Sequence, residues 1–400
     1  MSPVRSVSPD SFFSPSNNST ALRCITGFTL GYHPGLHWRQ KLALVVLRAQ
    51  RATFLVPILR WLIRRTSTGE AITQYCAQHK IPHKVITLSP ETTTTTALTH
   101  TIPLPTLHLL TPSSSAPTGA TILYLHGGGF VNPLRGRAHL PFILNCAVSA
   151  RAKEVIILEY ALAPENPYPA QLVQSIASLR YLLETLSLAP EKVILAGDSA
   201  GGRLVGALLA HVICPCPYAA PLSLDDVGVE AHGEHGRKER GRGRRLKAAL
   251  LISPFTTLSV ASESFDLNSK RDYLGREQVL GFKTAWAPRA DEVWADLRFG
   301  DSIWKVFLGD NRVVEKALIT VGNAEVFVHD CRFFARELIG ADTVVLGRDD
   351  DAAEVDFAGK EAVLVECEDE VHVQVALDSA VGYKDGIMIK AVTAWMAYQA

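Results

Sequence analysis

Short apolar segments alternate with longer amphipathic segments along most of the chain after residue 104. The strand-like segments are nearly continuous apolar runs: PTLHLLT, TILYLH, EVIILEY, KVILAG, KAALLIS, KALITVG and EAVLVE. Helix-like segments separate the later runs, at about residues 136–151, 169–187, 199–213, 329–340 and 384–398. Since strands buried on both faces are apolar throughout, this alternation predicts an α/β protein with a mostly parallel sheet covered by helices on both sides.

The N-terminal quarter of the chain has a different pattern. Residues 1–20 are rich in Ser, Pro and Asn and lack the apolar core of a signal peptide, which predicts a disordered tail. We expect an N-terminal helical cap region over residues 21–100. We expect the α/β domain to occupy residues 101–400.

Residues 39–65 are apolar but carry many positive charges, and Pro57 interrupts the run. The basic residues are Arg39, Lys41, Arg48, Arg51, Arg60, Arg64 and Arg65. A membrane-spanning helix needs about 20 largely uncharged residues, so we exclude one here. The pattern favours a pair of amphipathic helices that cover the domain. The alternative is a basic segment that associates weakly with a membrane surface.

Residues 222–246 interrupt the alternation. The segment begins acidic, ends strongly basic, and has almost no large apolar side chains. Because such a sequence cannot contribute to a core, we interpret it as a flexible insertion between a helix and the next strand. The alternative is a basic site for an anionic partner.

The overall composition is that of a globular protein and gives no sign of nucleic-acid binding. The chain has 400 residues, 47% of them hydrophobic, and its 40 Lys and Arg residues balance 40 Asp and Glu residues. Seven cysteines are widely spaced, in an odd number and without metal-ligand spacing. This usage is typical of reduced thiols, so we expect a cytoplasmic protein.

The stretch ILAGDSAGGRLVGALLAHVI contains a candidate nucleophile. Residues 197–201 match G-x-S-x-G, with Ser199 at its centre. In the nucleophile elbow of hydrolases, a strained strand-to-helix turn raises the serine hydroxyl above the sheet, and small neighbours permit the turn. The apolar run before Ser199 and the helix-like pattern after it supply the required context.

A second motif, YLHGGGF, places His126 and three glycines directly after a strand-like segment. Consecutive glycines let backbone N–H groups turn toward a ligand, which suits an oxyanion hole made by Ala200 and two of the three glycines Gly127, Gly128 and Gly129. The sequence leaves open which two of the glycines donate. The alternative is a phosphate-binding turn. The serine motif 73 residues after His126, together with the lack of a P-loop lysine, favours the oxyanion hole. His126 itself is expected to form structural hydrogen bonds rather than to act as a base.

Together these motifs resemble the hormone-sensitive-lipase-like branch of the α/β-hydrolase esterases. The resemblance rests on HGGGF, on EYALAPENPYPA (Glu159–Ala170), on GDSAGG, and on LISPF and NSKRDYLG, and it extends from about residue 104 to 398. It implies an eight-stranded, mostly parallel sheet and a helical cap built partly from the N-terminal region. It also implies a cofactor-free hydrolase of short acyl esters.

The order of residues in this fold is nucleophile, acid and then histidine, which guides the search for the remaining triad. After the strand ALITV, the segment GNAEVFVHD resembles the family's acid motif and implies Glu325, with Asp330 as the second choice. Only His329 and His372 follow Glu325. His372 comes after the last strand-like run, whereas His329 lies one turn from the acid, so we predict His372. The acidic residues Asp349–Asp351 mark an insertion between acid and histidine.

We therefore expect a serine esterase for a small-molecule ester, such as an acetyl ester of a secondary metabolite. Amide or thioester cleavage, dehydration, and ligand binding by an inactive hydrolase scaffold are the alternatives. The sequence also leaves a homodimer open.

Overall fold

The computed structural model describes residues 33–53, 66–89, 102–113, 117–225, 243–307, 309–310 and 312–400. The predicted tail at residues 1–20 lies outside the described residues, as do residues 54–65 of the basic segment and residues 226–242 of the insertion. The six described cysteines are free thiols, and all except Cys214 are buried.

A single nine-stranded sheet organises the described chain. Its strands are β1 (His83–Thr87), β2 (Thr106–Leu110), β3 (Thr121–Leu125), β4 (Glu154–Glu159), β5 (Val193–Asp198), β6 (Leu246–Ile252), β7 (Val314–Gly322), β8 (Asp342–Leu346) and β9 (Ala362–Cys367). Their order across the sheet is β1-β2-β4-β3-β5-β6-β7-β9-β8. Strand β2 is antiparallel to β1 and β4, and all other pairs are parallel.

The sheet has nine strands rather than the eight expected from the resemblance, and two strands were absent from the sequence prediction. Strand β1 lies within residues 21–100, which were expected to form the cap. Strand β8 lies between the predicted acid and histidine, where it lengthens that interval. Both are edge strands with mostly exposed or half-buried side chains. They therefore lack the apolar run that identifies an interior strand.

Eleven helices are described. They are α1 (Trp38–Thr53), α2 (Thr68–His79), α3 (Gly136–Ser149), α4 (Ala170–Arg180), α5 (Ala200–Ile213), α6 (Ser264–Leu267), α7 (Arg276–Trp286), α8 (Asp301–Trp304), α9 (Val328–Arg332), α10 (Gln374–Ala380) and α11 (Ile387–Tyr398). Helices α4 and α9 each continue into a π-helical turn, Tyr181–Thr185 and Phe333–Ile339. Helices α6, α7, α8 and α10 lie outside the helix-like segments predicted from the sequence, whereas α2 lies in the region 21–100 that was expected to be helical.

The core consists of two apolar layers, one on each face of the sheet. Alternate residues of a strand face opposite layers: Leu123 and Leu195 pack in one, while Ile122 and Ile194 pack in the other. Helices α4 and α5 cover the first face, and α3 and α11 cover the second. The loops at the carboxyl ends of the parallel strands are therefore held on a rigid platform.

Helix α1 is the described part of the basic segment at residues 39–65. It is amphipathic, as predicted: Leu44 is buried against a small cluster that includes Val371 and Leu377. On its other side, Trp38, Leu42 and Val46 are 62%, 57% and 47% exposed. Within the described ranges, we find no helix with the length and apolar character needed to cross a membrane.

Candidate active site

Ser199 occupies the sharp turn between β5 and α5. Its backbone has φ 52° and ψ −116°, a conformation that non-glycine residues rarely adopt. The neighbouring Gly201 leaves no space for a side chain, since a Cβ atom there would lie 1.9 Å from the carbonyl oxygen of Leu125. The required small residues of the motif thus follow from close packing of helix and strand.

Three backbone hydrogen bonds hold this turn. The N–H of Ser199 donates to the carbonyl of Ile252 at 2.8 Å, and the Ser199 carbonyl accepts from Phe255 at 3.1 Å and from Arg203 at 3.0 Å. The strained residue is therefore tied to the end of β6 and to the first turn of α5. Its side chain remains directed to the site above the sheet.

The structure brings Ser199, His372 and Glu325 together. His372 follows β9, and its Nε2 lies 2.8 Å from Ser199 Oγ. Its Nδ1 lies 3.7 Å from Glu325 Oε1, and neither of these two atoms has a hydrogen-bond partner among the described residues. The two side chains are almost completely buried. The side chains predicted from sequence as nucleophile, base and acid therefore lie next to one another. The distance between His372 and Glu325 is longer than a hydrogen bond.

Ser253 connects the acid to the histidine segment. Its Oγ donates to Glu325 Oε2 at 2.7 Å and accepts from the backbone N–H of Val373 at 3.1 Å. Glu325 Oε2 also accepts from the N–H of Gly322 at 3.2 Å. The sequence analysis did not assign Ser253 a role, although it quoted the LISPF segment that contains it. The only available signal was its position directly after β6, beside the nucleophile strand.

Asp330, the second choice for the acid, lies in α9 and is engaged elsewhere. Its Oδ2 accepts a hydrogen bond from Ser262 Oγ at 2.9 Å. Burial raises the pKa of Asp330 to about 6, although the bond from Ser262 opposes that shift. The described hydrogen bond of the Asp330 carboxyl group is therefore with Ser262 and not with His372.

Asp272 is a buried carboxyl group beside the acid that the sequence analysis missed. Its Oδ2 accepts from the N–H of Val326 at 2.9 Å, and its Oδ1 accepts from the N–H of Tyr273 at 2.7 Å. Burial raises the pKa of Asp272 to about 6, an effect that the charge of Glu325 reinforces and that of His372 opposes. Asp272 thereby fixes the backbone next to Glu325.

The glycine loop presents unpaired backbone donors, but Gly127 is not among them. The N–H of Gly127 donates to Asp198 Oδ1 at 3.0 Å, which leaves Gly128 and Gly129 as the two glycines with a free N–H among the three. Gly128 and Gly129 have φ of +119° and +64°, which glycine adopts readily. In the described part of the chain, the N–H groups of Gly128, Gly129 and Ala200 have no protein acceptor.

Comparison with known proteins identifies the family. A family model described as the alpha/beta hydrolase fold matches residues 122–373. The chain belongs to the α/β-hydrolase family. The predicted fold class is thereby confirmed.

Three curated relatives support the predicted branch of this family. An acetyl-hydrolase from Streptomyces hygroscopicus is 35% identical over 134 residues, which cover 30% of this chain and 42% of the relative. Carboxylesterase NlhH from Mycobacterium tuberculosis is 32% identical over 174 residues, or 42% of this chain and 46% of the relative. Hormone-sensitive lipase from Bos taurus is 33% identical over 98 residues, or 24% of this chain and 13% of the relative. The chain thus spans less than half the length of these relatives.

A solved structure of an esterase from the bacterial hormone-sensitive lipase family shares the fold. It aligns with a TM-score of 0.59 at 20% identity, over 91% of this chain and 99% of the other. The fold implied by the sequence motifs is therefore confirmed.

Asp198 of the hydrolase anchors the glycine loop to the nucleophile strand. Burial disfavours its ionised form, but His139 at 3.6 Å and the bonds from Tyr124 and Gly127 outweigh this effect and lower the pKa of Asp198. The hydroxyl of Tyr124 donates to its Oδ1 at 2.7 Å. An ionised Asp198 thus orders the loop whose next two N–H groups are unpaired.

His126 has a structural environment. It is fully buried, and burial lowers the pKa of its imidazole to about 4. Its ring stacks on Tyr160 with 4.3 Å between centroids, and the Tyr160 hydroxyl donates to the His126 carbonyl at 2.7 Å. A neutral, enclosed imidazole of this kind fits the predicted hydrogen-bonding role.

A pocket of about 700 Å³ opens above Ser199. Most of its wall is apolar and comes from several elements. The apolar residues include Trp38, Leu42, Val46, Phe255, Leu274, Val279, Phe282, Phe327, Leu377 and Val381. The exposed apolar side of α1 therefore forms part of the wall of this pocket. Among the described residues, no cluster of His, Cys, Asp and Glu is suited to hold a metal ion.

Proposed function

We propose that this protein is a serine hydrolase that cleaves carboxylic esters through Ser199, His372 and Glu325. One observation carries the proposal: Ser199 Oγ lies 2.8 Å from His372 Nε2 at the strained turn. Unpaired N–H groups of Gly128, Gly129 and Ala200 flank the same residue. A nucleophile, its base and oxyanion donors are the set that acyl transfer requires.

In the first step, Ser199 Oγ attacks the ester carbonyl while His372 Nε2 removes its proton. This requires the neutral imidazole to carry its proton on Nδ1, the atom that faces Glu325 Oε1. The carboxylate favours that tautomer and stabilises the cation that forms. The 3.7 Å gap between the two atoms must shorten to hydrogen-bond distance as His372 becomes charged.

The tetrahedral intermediate places negative charge on the former carbonyl oxygen. The N–H of Ala200 and those of Gly128 and Gly129 are the donors that we assign to it, and the N-terminal end of α5 adds a favourable dipole. His372 then protonates the leaving alcohol, and the acyl group stays on Ser199. Water, deprotonated by His372, releases the acid and restores the free enzyme.

The substrate that we propose is a small ester with a short acyl group, such as an acetyl ester. Relatives named acetyl-hydrolase and carboxylesterase support this class. The largely apolar pocket of about 700 Å³ is consistent with a drug-sized molecule rather than a polymer.

Substitution Ser199→Ala tests the proposal. We expect normal folding and a loss of kcat by about 10³-fold or more, because the acyl acceptor is removed. The measurement is hydrolysis of p-nitrophenyl esters of increasing acyl length, combined with labelling by a fluorophosphonate probe. Ser302→Ala, at an exposed serine, is the matched control. Retained activity or undiminished labelling in the Ser199 variant would contradict the assignment.

A further inference from the structure

Two arginine side chains line the pocket without a carboxylate partner among the described residues, although the Arg39 guanidinium lies 5.5 Å from the centre of the Trp38 ring. Arg39 belongs to α1, and Arg135 immediately precedes α3. Within the described ranges, neither guanidinium group donates a hydrogen bond or pairs with a carboxylate. Asp198 also lines the pocket, but it is 2% exposed and already holds the glycine loop. Among the described residues, the pocket therefore carries two arginine charges that no carboxylate pairs with.

Many other arginines of the protein are paired with carboxylates. Examples are Arg180 with Glu184, Arg244 with Glu191, Arg271 with Asp369, and Arg332 with Glu366. Acidic and basic residues are equal in number, so carboxylates are available to pair with arginines on the surface. The two pocket arginines depart from this pairing at the place where a substrate would bind.

The surroundings of Arg135 place its charge near the proposed chemistry. Arg135 lines the same pocket as Ser199, Tyr273 and His372, and the Tyr273 ring lies 6.1 Å from that of His372. Desolvation by the surrounding protein lowers the pKa of Arg135, although its side chain remains accessible.

The start of α3 adds to the positive potential at this wall. Arg135 is the N-cap residue of α3, and no side chain caps the helix there. The N-terminus of a 14-residue helix carries a partial positive charge, which favours an anion nearby. Ala138 and His139 of the first helical turn also line the pocket.

We propose that the preferred substrate is an apolar ester that bears a carboxylate group, which Arg135 binds with support from Arg39. This inference rests on the proposed esterase function and specifies its substrate class. The planar guanidinium group matches a carboxylate with two parallel hydrogen bonds. The apolar wall from α1 and from Phe255 and Phe282 accommodates the remainder of the molecule.

Two matched substrate pairs test the proposal, one for each side of the ester bond. On the alcohol side, p-acetoxybenzoate is compared with the neutral p-acetoxybenzamide. On the acyl side, the p-nitrophenyl monoester of adipic acid is compared with its terminal amide. Neutral p-nitrophenyl acetate reports the basic ester hydrolysis. The values of kcat and KM are measured for each substrate at low salt and in about 0.5 M NaCl.

In one of the pairs, we expect the carboxylate substrate to have a kcat/KM about tenfold higher than its amide, mainly through a lower KM. Salt should reduce this preference. Arg135→Met should remove most of it, and Arg39→Gln should remove part of it, while hydrolysis of p-nitrophenyl acetate is retained. Arg137→Met is the matched control, because Arg137 is exposed on the same helix and does not line the pocket.

Equal or better hydrolysis of the amides in both pairs, with p-nitrophenyl acetate still cleaved, would overturn the charge preference and leave the esterase proposal intact. A preference that survives Arg135→Met and Arg39→Gln would also overturn the assignment to these residues. Failure to cleave any ester would instead overturn the esterase proposal, and the substrate inference with it.

Discussion

At the scale of single residues, the position of the proposed base depends on groups that do not themselves react. Ser253 bonds to Glu325 on one side and to the backbone after His372 on the other, and its own φ is +43°. The N–H of Val326 is fixed by Asp272. The carboxylate of Glu325 is therefore oriented by neighbours directly after β6 and in the segment before α7.

Replacing the acid separates the two candidates for that role. Glu325→Gln preserves the shape of the side chain but removes the charge that stabilises the imidazolium, so we expect kcat to fall by about 10²–10⁴-fold. Asp330→Asn is the matched control and should cost about tenfold or less, because its carboxyl bonds to Ser262. The measurement is kcat for p-nitrophenyl acetate after both variants have been checked for native-like melting. If the Asp330 variant is the more impaired, the acid has been assigned wrongly.

The residues that could be found from sequence are those with a local signature. Ser199 and the three glycines stand in motifs whose physical requirements lie within a few positions of the chain. Ser253 and Asp272 could not be found, because their roles arise from contacts with residues 54 to 120 positions away. The hydrogen bond from the Gly127 N–H could not be predicted either, because its acceptor, Asp198, is 71 residues away in the chain.

At the scale of elements, a network of buried polar side chains joins helix α1 to the residues around His372. Asp378 Oδ1, in α10, accepts from Gln40 of α1 and from Gln374, each at 2.7 Å. Gln374 in turn accepts from the N–H of Val371, next to His372, at 3.1 Å. Glu370 accepts from the first N–H groups of α11. Helices α1, α10 and α11 are thus tied to one pair of acidic side chains.

This acidic pair gives the stability a predictable dependence on pH. Burial raises the pKa of Asp378 to about 7, and burial together with the charge of Asp378 raises that of Glu370 well above its ordinary value. For Asp378, the folded state holds a proton that the unfolded state has lost above about pH 4. Its contribution is therefore fully present below that pH and is lost as the pH rises through about 7. The expected slope is about 1 kcal/mol per pH unit.

Asp378→Asn removes this titration while keeping an oxygen that accepts from both glutamines. In urea unfolding between about pH 4 and 8, the free energy of unfolding should fall less steeply with pH than in the parent. Asp385→Asn, at an exposed carboxylate, should retain the parental slope. Identical slopes for parent and Asp378→Asn would exclude the proton on Asp378.

The interior elements could be predicted from the sequence, whereas the peripheral ones could not. Strands such as β3 and β5 are buried along their whole length and appear as apolar runs. Strands β1 and β8 have one sheet neighbour each and are largely exposed, so their sequences resemble loops. Helix α10 has seven residues and directly follows the histidine, which leaves too few positions for a periodic pattern.

At the scale of the whole molecule, the ends of the insertion meet at the surface. The N–H of Arg244 donates to Asp225 Oδ1 at 2.8 Å, and the Arg244 guanidinium pairs with Glu191 at 2.9 Å. These contacts lie outside the lining of the substrate pocket. A short linker between residues 225 and 243 is therefore sufficient to connect the chain that follows α5 to strand β6.

Replacing residues 226–242 with a short Gly/Ser linker should leave both the melting temperature and kcat nearly unchanged. The segment has too few large apolar residues to add to the core, and its anchors remain in place. Thermal unfolding and p-nitrophenyl acetate turnover are measured on parent and variant. A large loss of stability would mean that the segment packs on the domain, and a large loss of turnover alone would mean that it gates the pocket.

The link between Gln40 and Asp378 joins two helices that are synthesised at different times. The two residues are 338 positions apart. At roughly 5–20 residues per second, α1 is made about 17–70 s before its partner on α10. During that time a lone 16-residue helix is only marginally stable, and Ser199 already exists without its base. Ser199 therefore remains without its proposed base, His372, until residue 372 of the growing chain has been translated.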